Sequence, residues 1–391
     1  MTDRGVVPTS REPSPFVGRS AALDHLRAAL RVARGGHFAG VLVAGPAGMG
    51  KTRLVDEFRS CVGPGVGRVL VGACLDEGGA YMPLHPITQA LDGLGGDLWL
   101  SDVVEDQEHH FRTMAASMSR GARPGRVLVL VVEDLHWADA TTLAFLRFLA
   151  HALADQPVLL VGTHRGADEA TPALRRFLTA MDRLPHLSRL ALDPLPRDDV
   201  ARLVHDRVGS WIDDATLDRL VDRAGGITLF VEELAVELAR GDDRVVPARL
   251  RDVFLTLVEG LDGGTCELLD LAAVCGPEFG HDLLVRAADM PAPTVEKRAE
   301  ELVDAGILVT GRPGDDYRFR HALLHETVRD RLHPGTRRRL HAACARVLDD
   351  SPGLAPRGTS ATSERARHWA AAGRPGPALV ALVPRGARPG L

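Results

Sequence analysis

Val41-Leu42-Val43-Ala44-Gly45-Pro46-Ala47-Gly48-Met49-Gly50-Lys51-Thr52 is the stretch that decides how this chain folds. Its first four residues read as a buried strand, and the amphipathic run from Thr52 to Cys61 reads as a helix. Between them residues 45–52 satisfy GxxxxGK[ST], in the strand-to-helix context that motif requires. Gly45, Pro46, Ala47, Gly48, Met49 and Gly50 form a loop whose backbone N–H groups can turn inward on a polyphosphate, with the positive end of the helix behind them. Lys51 is then placed to bridge the outer phosphates and Thr52 to ligate Mg²⁺. The lysine stands out for another reason: the chain has two lysines, Lys51 and Lys297, against 45 arginines. In a chain this biased towards arginine, a retained lysine points to a site that needs a compact ammonium.

Downstream, Val127-Leu128-Val129-Leu130-Val131-Val132 reads as a buried strand ending in Glu133-Asp134. Carboxylates at the carboxyl edge of a parallel sheet are where the metal partner of a phosphate loop belongs. One acid would hold the Mg²⁺ shell and the other orient a water; the residues leave open which does which. The next strand closes Val161-Gly162-Thr163-His164-Arg165, so either Thr163 or Arg165 could sense the terminal phosphate from the same edge. Further apolar runs at Arg68 to Cys74, Pro157 to Val161 and Leu187 to Leu192 alternate with helical patterns. That alternation predicts an α/β fold, a parallel sheet with helices on both faces.

From Arg197 to Arg240 helical periodicity takes over, and from Val246 to Leu348 short helices are interrupted by Ile307-Leu308-Val309, a turn at Arg312-Pro313-Gly314-Asp315 and Tyr317-Arg318-Phe319. The first region predicts a helical lid and the second a winged-helix-like, α-rich module. The expected divisions are a disordered leader at 1–15, a nucleotide-binding domain at 16–195, the lid at 196–245, the winged-helix-like module at 246–350, and a linker opening a helical-repeat region at 351–391.

Composition narrows the function classes. The 391 residues carry a net charge of −5, so the chain as a whole has no cationic excess for a phosphate polymer. Arg337-Arg338-Arg339 is the one local basic run, and it reads as the solvated face of a core helix whose apolar positions are Leu340, Ala343 and Val347. Direct DNA binding is therefore not expected. No apolar stretch approaches the roughly 20 residues of a membrane helix and the N-terminus has no apolar signal core, which predicts a cytoplasmic protein with no membrane partner. Five cysteines without a CxxC pair read as reduced core residues. Neither the acceptor pocket of a kinase nor the arginine finger of a motor is legible.

Together these marks resemble the STAND-type P-loop ATPases, in particular the ATPase module of the large ATP-binding LuxR-family transcriptional regulators and related AAA-type proteins. The resemblance runs from about Phe16 to Trp369. It rests on Phe16-Val17-Gly18-Arg19, the phosphate loop and Glu133-Asp134-Leu135-His136-Trp137-Ala138-Asp139, with weaker support from Leu229-Phe230-Val231-Glu232-Glu233-Leu234, Phe319-Arg320-His321-Ala322-Leu323 and Arg365, His368 and Trp369. It implies ATP and Mg²⁺ as ligands, Val17, Gly18 and Arg19 bordering the adenine, and His321 reaching back towards the phosphates as a conformational sensor. It also implies a nucleotide-controlled switch with slow hydrolysis to ADP, an inducer that is a protein or a small molecule, and nucleotide-dependent assembly of copies. The chain departs from the family in two places. Gly226-Ile227-Thr228 stands where Gly-Asn-Pro is usual, so the proline that would fix the turn near the base is absent. No C-terminal helix-turn-helix follows, which reads as truncation; the alternative is a DNA-binding regulator acting through the winged-helix module or a missing helix-turn-helix. His136 and Trp137 are expected to pack beneath the sheet.

Overall fold

The structure, a computed structural model, describes residues 16–75, 83–92, 107–123, 125–166, 170–209, 212–241, 245–311, 316–356 and 360–382. The leader expected at 1–15, the turn at Arg312 to Asp315 and the end of the tail lie outside the described residues. The chain divides into two units, Met1–Asp206 with Ile227–Leu229, and Arg207–Gly226 with Phe230–Leu391.

In the first unit, α1 (Ser20–Arg34) precedes β1 (Ala39–Ala44), and α2 (Lys51–Cys61), β2 (Gly67–Ala73), α3 (His85–Asp92) and α4 (Gln107–Gly121) follow. Then come β3 (Val127–Glu133), α5 (Ala140–Ala152), β4 (Val158–His164), α6 (Pro172–Met181), β5 (Leu187–Ala191) and α7 (Arg197–Val208). The strands form one parallel sheet in the order β2-β3-β4-β1-β5, with Val41 opposite Val161 and Val129 opposite Leu159. Successive side chains of a strand point to opposite faces, and Val127 to Val132 are all fully buried, so both faces of the sheet are covered. The run is apolar throughout for that reason, whereas the edge strand β5 exposes Arg189 and Ala191. Phe58, Phe145, Met114 and Met118 are among the largest side chains sealed inside. Helix α1 was not anticipated, although Leu23, Leu26, Leu30 and Ala33 form a buried stripe at helical spacing.

The second unit holds α8 (Asp214–Ala224), α9 (Thr228–Ala239) from Phe230 onward, α10 (Ala248–Glu259), α11 (Gly263–Cys275), β6 (Glu278–Gly280), α12 (His281–Ala287) and α13 (Ala292–Asp304). After these come β7 (Leu308–Thr310), β8 (Asp316–Phe319), α14 (Ala322–Arg331), α15 (Pro334–Asp350), α16 (Ala361–Ala371) and α17 (Pro375–Leu382). The expected hairpin is present, with Leu308 opposite Phe319. A third strand, β6, pairs antiparallel on the other side of β8. Leu268, Leu269 and Leu271 to Cys275 are buried in α11, against which α13, α14 and α15 pack.

Two expectations need correction. Arg337, Arg338 and Arg339 are exposed, but the buried residues of α15 are His341, Cys344, Ala345 and Leu348, while Leu340, Ala343 and Val347 are only half-buried. The stripe is rotated by one position because it accommodates a buried histidine, which an apolar pattern skips. Of the cysteines, Cys74, Cys275 and Cys344 are core residues, Cys266 is half-buried and Cys61 is exposed. Cys61 closes the last turn of α2, where its thiol bonds to Glu57 O and accepts from Arg27. No helix among the described residues is long and apolar enough to cross a membrane.

Candidate functional site

The phosphate loop lies between β1, the strand flanked by β4 and β5, and α2. Gly48 and Gly50 take φ of +76° and +91°, the left-handed region that side chains avoid. At Gly48 a Cβ would also stand 3.0 Å from the Cβ of Leu229, so the residue is constrained by space as well as by conformation. Met49 is buried inside the bend, Ala47 is exposed at its tip, and Gly45 N–H donates to His164 O at the end of β4. Lys51 opens α2 with 9% of its surface exposed, and its Nζ donates to Gly45 O at 2.7 Å and Pro46 O at 3.0 Å. The ammonium therefore lies within the curl of its own loop.

One residue on, Thr52 Oγ1 donates to Glu133 Oε2 at 2.7 Å, which joins the start of α2 to the end of β3. Asp134 follows at φ 57°, ψ 46°, a left-handed conformation held by a bond from its N–H to Thr163 Oγ1 at 2.9 Å. Burial raises the Asp134 carboxyl above the ordinary carboxylate range, against the opposing pull of Lys51 and Arg165. The site thus pairs one acid tied to a hydroxyl with a second that is partly desolvated. Arg165 stands with its guanidinium carbon 5.5 Å from the centre of the Trp137 ring, a cation–π contact at the same edge.

His136 and Trp137 occupy a short 3₁₀ turn, Leu135–Trp137, directly after β3. Trp137 is half-buried and packs against the core of the first unit, and Leu135 is fully buried there, against Gly162. The His136 side chain is 6% exposed, its Nδ1 lies 3.8 Å from Asp134 Oδ1, and neither ring nitrogen has a hydrogen-bond partner among the described residues. Burial first, then Arg165, Lys51 and His164, push its pKa down to about 4. His164 repeats the pattern: its Nδ1 bonds to Arg165 O, its Nε2 is buried without a partner, and burial lowers its pKa. Two neutral imidazoles with unused polar atoms therefore border the lysine and the carboxylates.

The segment ahead of α1 reaches the same loop. Arg19 donates from one guanidinium nitrogen to Asp193 O at 2.6 Å and from the other to Met49 O at 3.2 Å. Burial lowers its pKa, opposed by Asp193 and Asp199. Gly18 takes φ +74° and a Cβ there would fall 2.4 Å from Asp199 Oδ2, so only glycine lets the chain pass. Val17 is half-buried beside it.

Thr228 is a contributor that motif reading missed. Its Oγ1 donates to Met49 O at 3.2 Å, and Leu229 N–H donates to Gly48 O at 3.0 Å. At the position where a proline was expected, a hydroxyl ties the α9 end to the loop. Gly45 to Thr52, Arg19, Glu133, Asp134, Thr163 and Arg165 are thus connected in the first unit. His321 belongs to the second unit, where its ring meets Phe230 edge-on at 5.3 Å and stacks on Phe254 at 6.4 Å. Burial, helped by Arg320 and Arg318, pushes its pKa down to about 4.

Residues 15–161 match the family model of the AAA ATPase domain. An uncharacterised protein of Rhizobium meliloti (strain 1021) is 26% identical over 405 residues, covering 88% of this chain and 38% of that protein. The chain thus spans well under half the length of this curated relative. Among solved structures, the ORC2 protein of Aeropyrum pernix, in ADPNP–ADP complexes, is similar with a TM-score of 0.51 at 14% identity, covering 84% of this chain and 96% of that one. The Signal Transduction ATPase with Numerous Domains (STAND) protein with a tetratricopeptide repeat sensor from Pyrococcus horikoshii is matched at a TM-score of 0.38 and 14% identity, over 94% of this chain and 50% of that one. The fold is that of the α/β P-loop NTPases, with an AAA ATPase domain at its amino-terminal end.

Proposed function

We propose that this chain is the ATP-binding module of a STAND-type regulatory ATPase, kin to the LuxR-family regulators, that uses bound ATP and Mg²⁺ as a conformational switch and hydrolyses slowly. The observation that carries the reading is the pair of contacts at the start of α2: Lys51 Nζ inside its loop and Thr52 Oγ1 on Glu133. The residues present fit such a ligand. The bend has two left-handed glycines, the backbone that lets loop amides turn towards an anion, and two buried imidazoles nearby hold ring nitrogens without a hydrogen-bond partner among the described residues.

In this reading the N–H groups of Ala47, Gly48, Gly50 and Lys51 and the Lys51 ammonium hold the phosphates, and Val17, Gly18 and Arg19 border the adenine. Thr52 and Glu133 are the metal pair, because the hydroxyl and carboxylate already meet at 2.7 Å. Mg²⁺ would supply neutralisation of the charge that develops on the phosphate oxygens. Asp134, its carboxyl raised by burial, orients the attacking water and accepts its proton at a carboxylate oxygen. Thr163 fixes the Asp134 backbone and Arg165 sits beside it, so the two sense the terminal phosphate from the end of β4. His321 is the proposed sensor in the second unit, residues 196–245 the lid, and 246–350 the winged-helix-like module. An inducer acting on the module and nucleotide-dependent assembly of copies complete the switch; DNA reading by this chain is not part of it.

The test is calorimetric titration of the whole chain with ATP, with and without Mg²⁺, on the parent protein and on Glu133→Gln. The parent should bind ATP more tightly with Mg²⁺ than without. Glu133→Gln should lose most of that metal dependence while still binding ATP. No heat and no thermal upshift with ATP and Mg²⁺ on folded parent protein would refute the assignment.

A further inference from the structure

We infer that the second unit carries a binding site for a small organic carboxylate, in a cavity of about 530 Å³ between the end of α11 and helices α14, α15 and α16. This inference is independent of the nucleotide reading, since every residue it uses lies in the second unit. The volume falls within the range of small-molecule sites, roughly 300–1,000 Å³. Its walls mix apolar surface from Ala273, Val274, Pro277 and Ala371 with a few polar side chains, the composition such sites favour.

A relay of buried histidines fixes what the cavity presents. Arg367 NH2 lies 2.9 Å from His368 Nε2, and a guanidinium can only donate, so Nε2 accepts. The proton of His368 must therefore be on Nδ1, which lies 3.0 Å from Nδ1 of His341 and donates to it. His341 then carries its own proton on Nε2. His341 lines the cavity, is 7% exposed, and keeps that N–H as its remaining donor. His368 is fully buried, so the relay is shielded from water that could scramble it. Both rings are held neutral by burial, with Arg367 adding to the effect. His325, also on the wall, is already committed: its Nε2 donates to Ala273 O at 2.9 Å.

The charges around the cavity favour an anionic head. Four charged side chains line it: Arg329, Arg367, Glu278 and Glu364. Arg367 and Glu364 neutralise each other at 2.7 Å, and the relay uses a further Arg367 donor. Glu278 is exposed. Arg329 is paired only loosely, at 3.4 Å, with its exposed neighbour Asp330. A carboxylate with an apolar body can therefore take the His341 N–H and the Arg329 guanidinium while the body lies on the apolar wall.

Ligand-observed NMR and calorimetry on the whole chain test this with benzoate, phenylacetate and hexanoate, each against its neutral amide. At least one carboxylate should bind with a Kd on the order of 1 mM, a fragment-level affinity, and its amide about tenfold more weakly. Arg329→Gln, on an exposed side chain, should abolish that tenfold preference without altering the fold. His341→Phe should weaken the carboxylate further; if it does not fold, the ¹⁵N shifts of the parent histidines report the relay directly, with Nδ1–H expected on His368 and Nε2–H on His341. The inference is overturned if none of the three acids binds folded protein at about 20 mM, if amides bind as well as acids, if Arg329→Gln leaves the preference intact, or if the tautomers are reversed.

Discussion

Replacing Lys51 with alanine is the sharpest perturbation the site allows. In the structure the ammonium is nearly buried and donates to two loop carbonyls at 2.7 and 3.0 Å, so its charge is held inside the loop. A phosphate oxygen bound there would exchange neutral acceptors for an anionic one, so that both partners of the bond are charged. Taking about 1.5–3 kcal/mol as the part lost with the side chain, Lys51→Ala should weaken ATP binding roughly tenfold to a hundredfold. Lys51→Arg should also be impaired, because a planar fork does not fit a cage sized for a compact ammonium. Calorimetry with ATP and Mg²⁺ measures both, with circular dichroism as the check on folding. If folded Lys51→Ala binds ATP within a factor of two or three of the parent, the reasoning fails at its base, because the charge is then not at the phosphates.

Three further outcomes follow from other contacts. Thr228→Ala removes the bond to Met49 O and should cost about 1 kcal/mol, lowering the melting point of the first unit by roughly 2–4 °C and weakening ATP binding; an unchanged melting curve would show that the hydroxyl does not support the loop. Asp134→Gly relieves a left-handed aspartate and a desolvated carboxyl, so it should stabilise the first unit by about 1 kcal/mol in thermal denaturation while sharply reducing ATP hydrolysis in a phosphate-release assay. In the second unit burial pushes the pKa of His321 and His341 down to about 4 and that of His368 down to about 2, against about 6.5 for unfolded histidine, so below pH 6.5 the unfolded chain binds more protons. That stability is complete above about pH 6.5 and is lost as pH falls towards the folded values; at pH 5.5 each ring costs roughly 1.4 kcal/mol, about 4 kcal/mol for the three, and a melting temperature that does not fall between pH 7.5 and 5.5 would contradict the burial.

What the sequence made legible is what chemistry fixes in residue type and spacing. The loop at 45–52, the acids at 133 and 134 and the strand end at 163–165 meet at one sheet edge, as their places at strand ends predict, and the alternation of buried runs gave the parallel sheet. The rest was hidden for physical reasons. Strand β6 has three residues, too few for any periodicity to register. The buried face of α15 runs through His341, a polar residue whose burial depends on a partner, His368, 27 positions away. Thr228 went unread because its role is a contact made across 179 residues of chain, and nothing local marks a threonine as a support for a glycine bend.

Asp134 shows how the two kinds of information meet. An aspartate at the end of an apolar strand could be assigned to the metal or to the water on composition alone, since both roles need a carboxylate. The surroundings of the two acids differ. Glu133 still belongs to β3, in register with Ala73, and its carboxylate is turned to Thr52. Asp134 has left the strand through a left-handed turn that a non-glycine residue adopts at a cost of about 1–2 kcal/mol. The surroundings hold that conformation by at least one bond, from its N–H to Thr163, a residue of the neighbouring strand that is itself 99% buried by its 1% exposure. Such strain persists only where the packing around it over-determines the backbone. Here the constraint rotates the second carboxylate away from the Thr52 hydroxyl and towards His136 and Arg165. Two adjacent acids are thereby given different neighbours and different surroundings, which is what the proposed division of roles between them rests on.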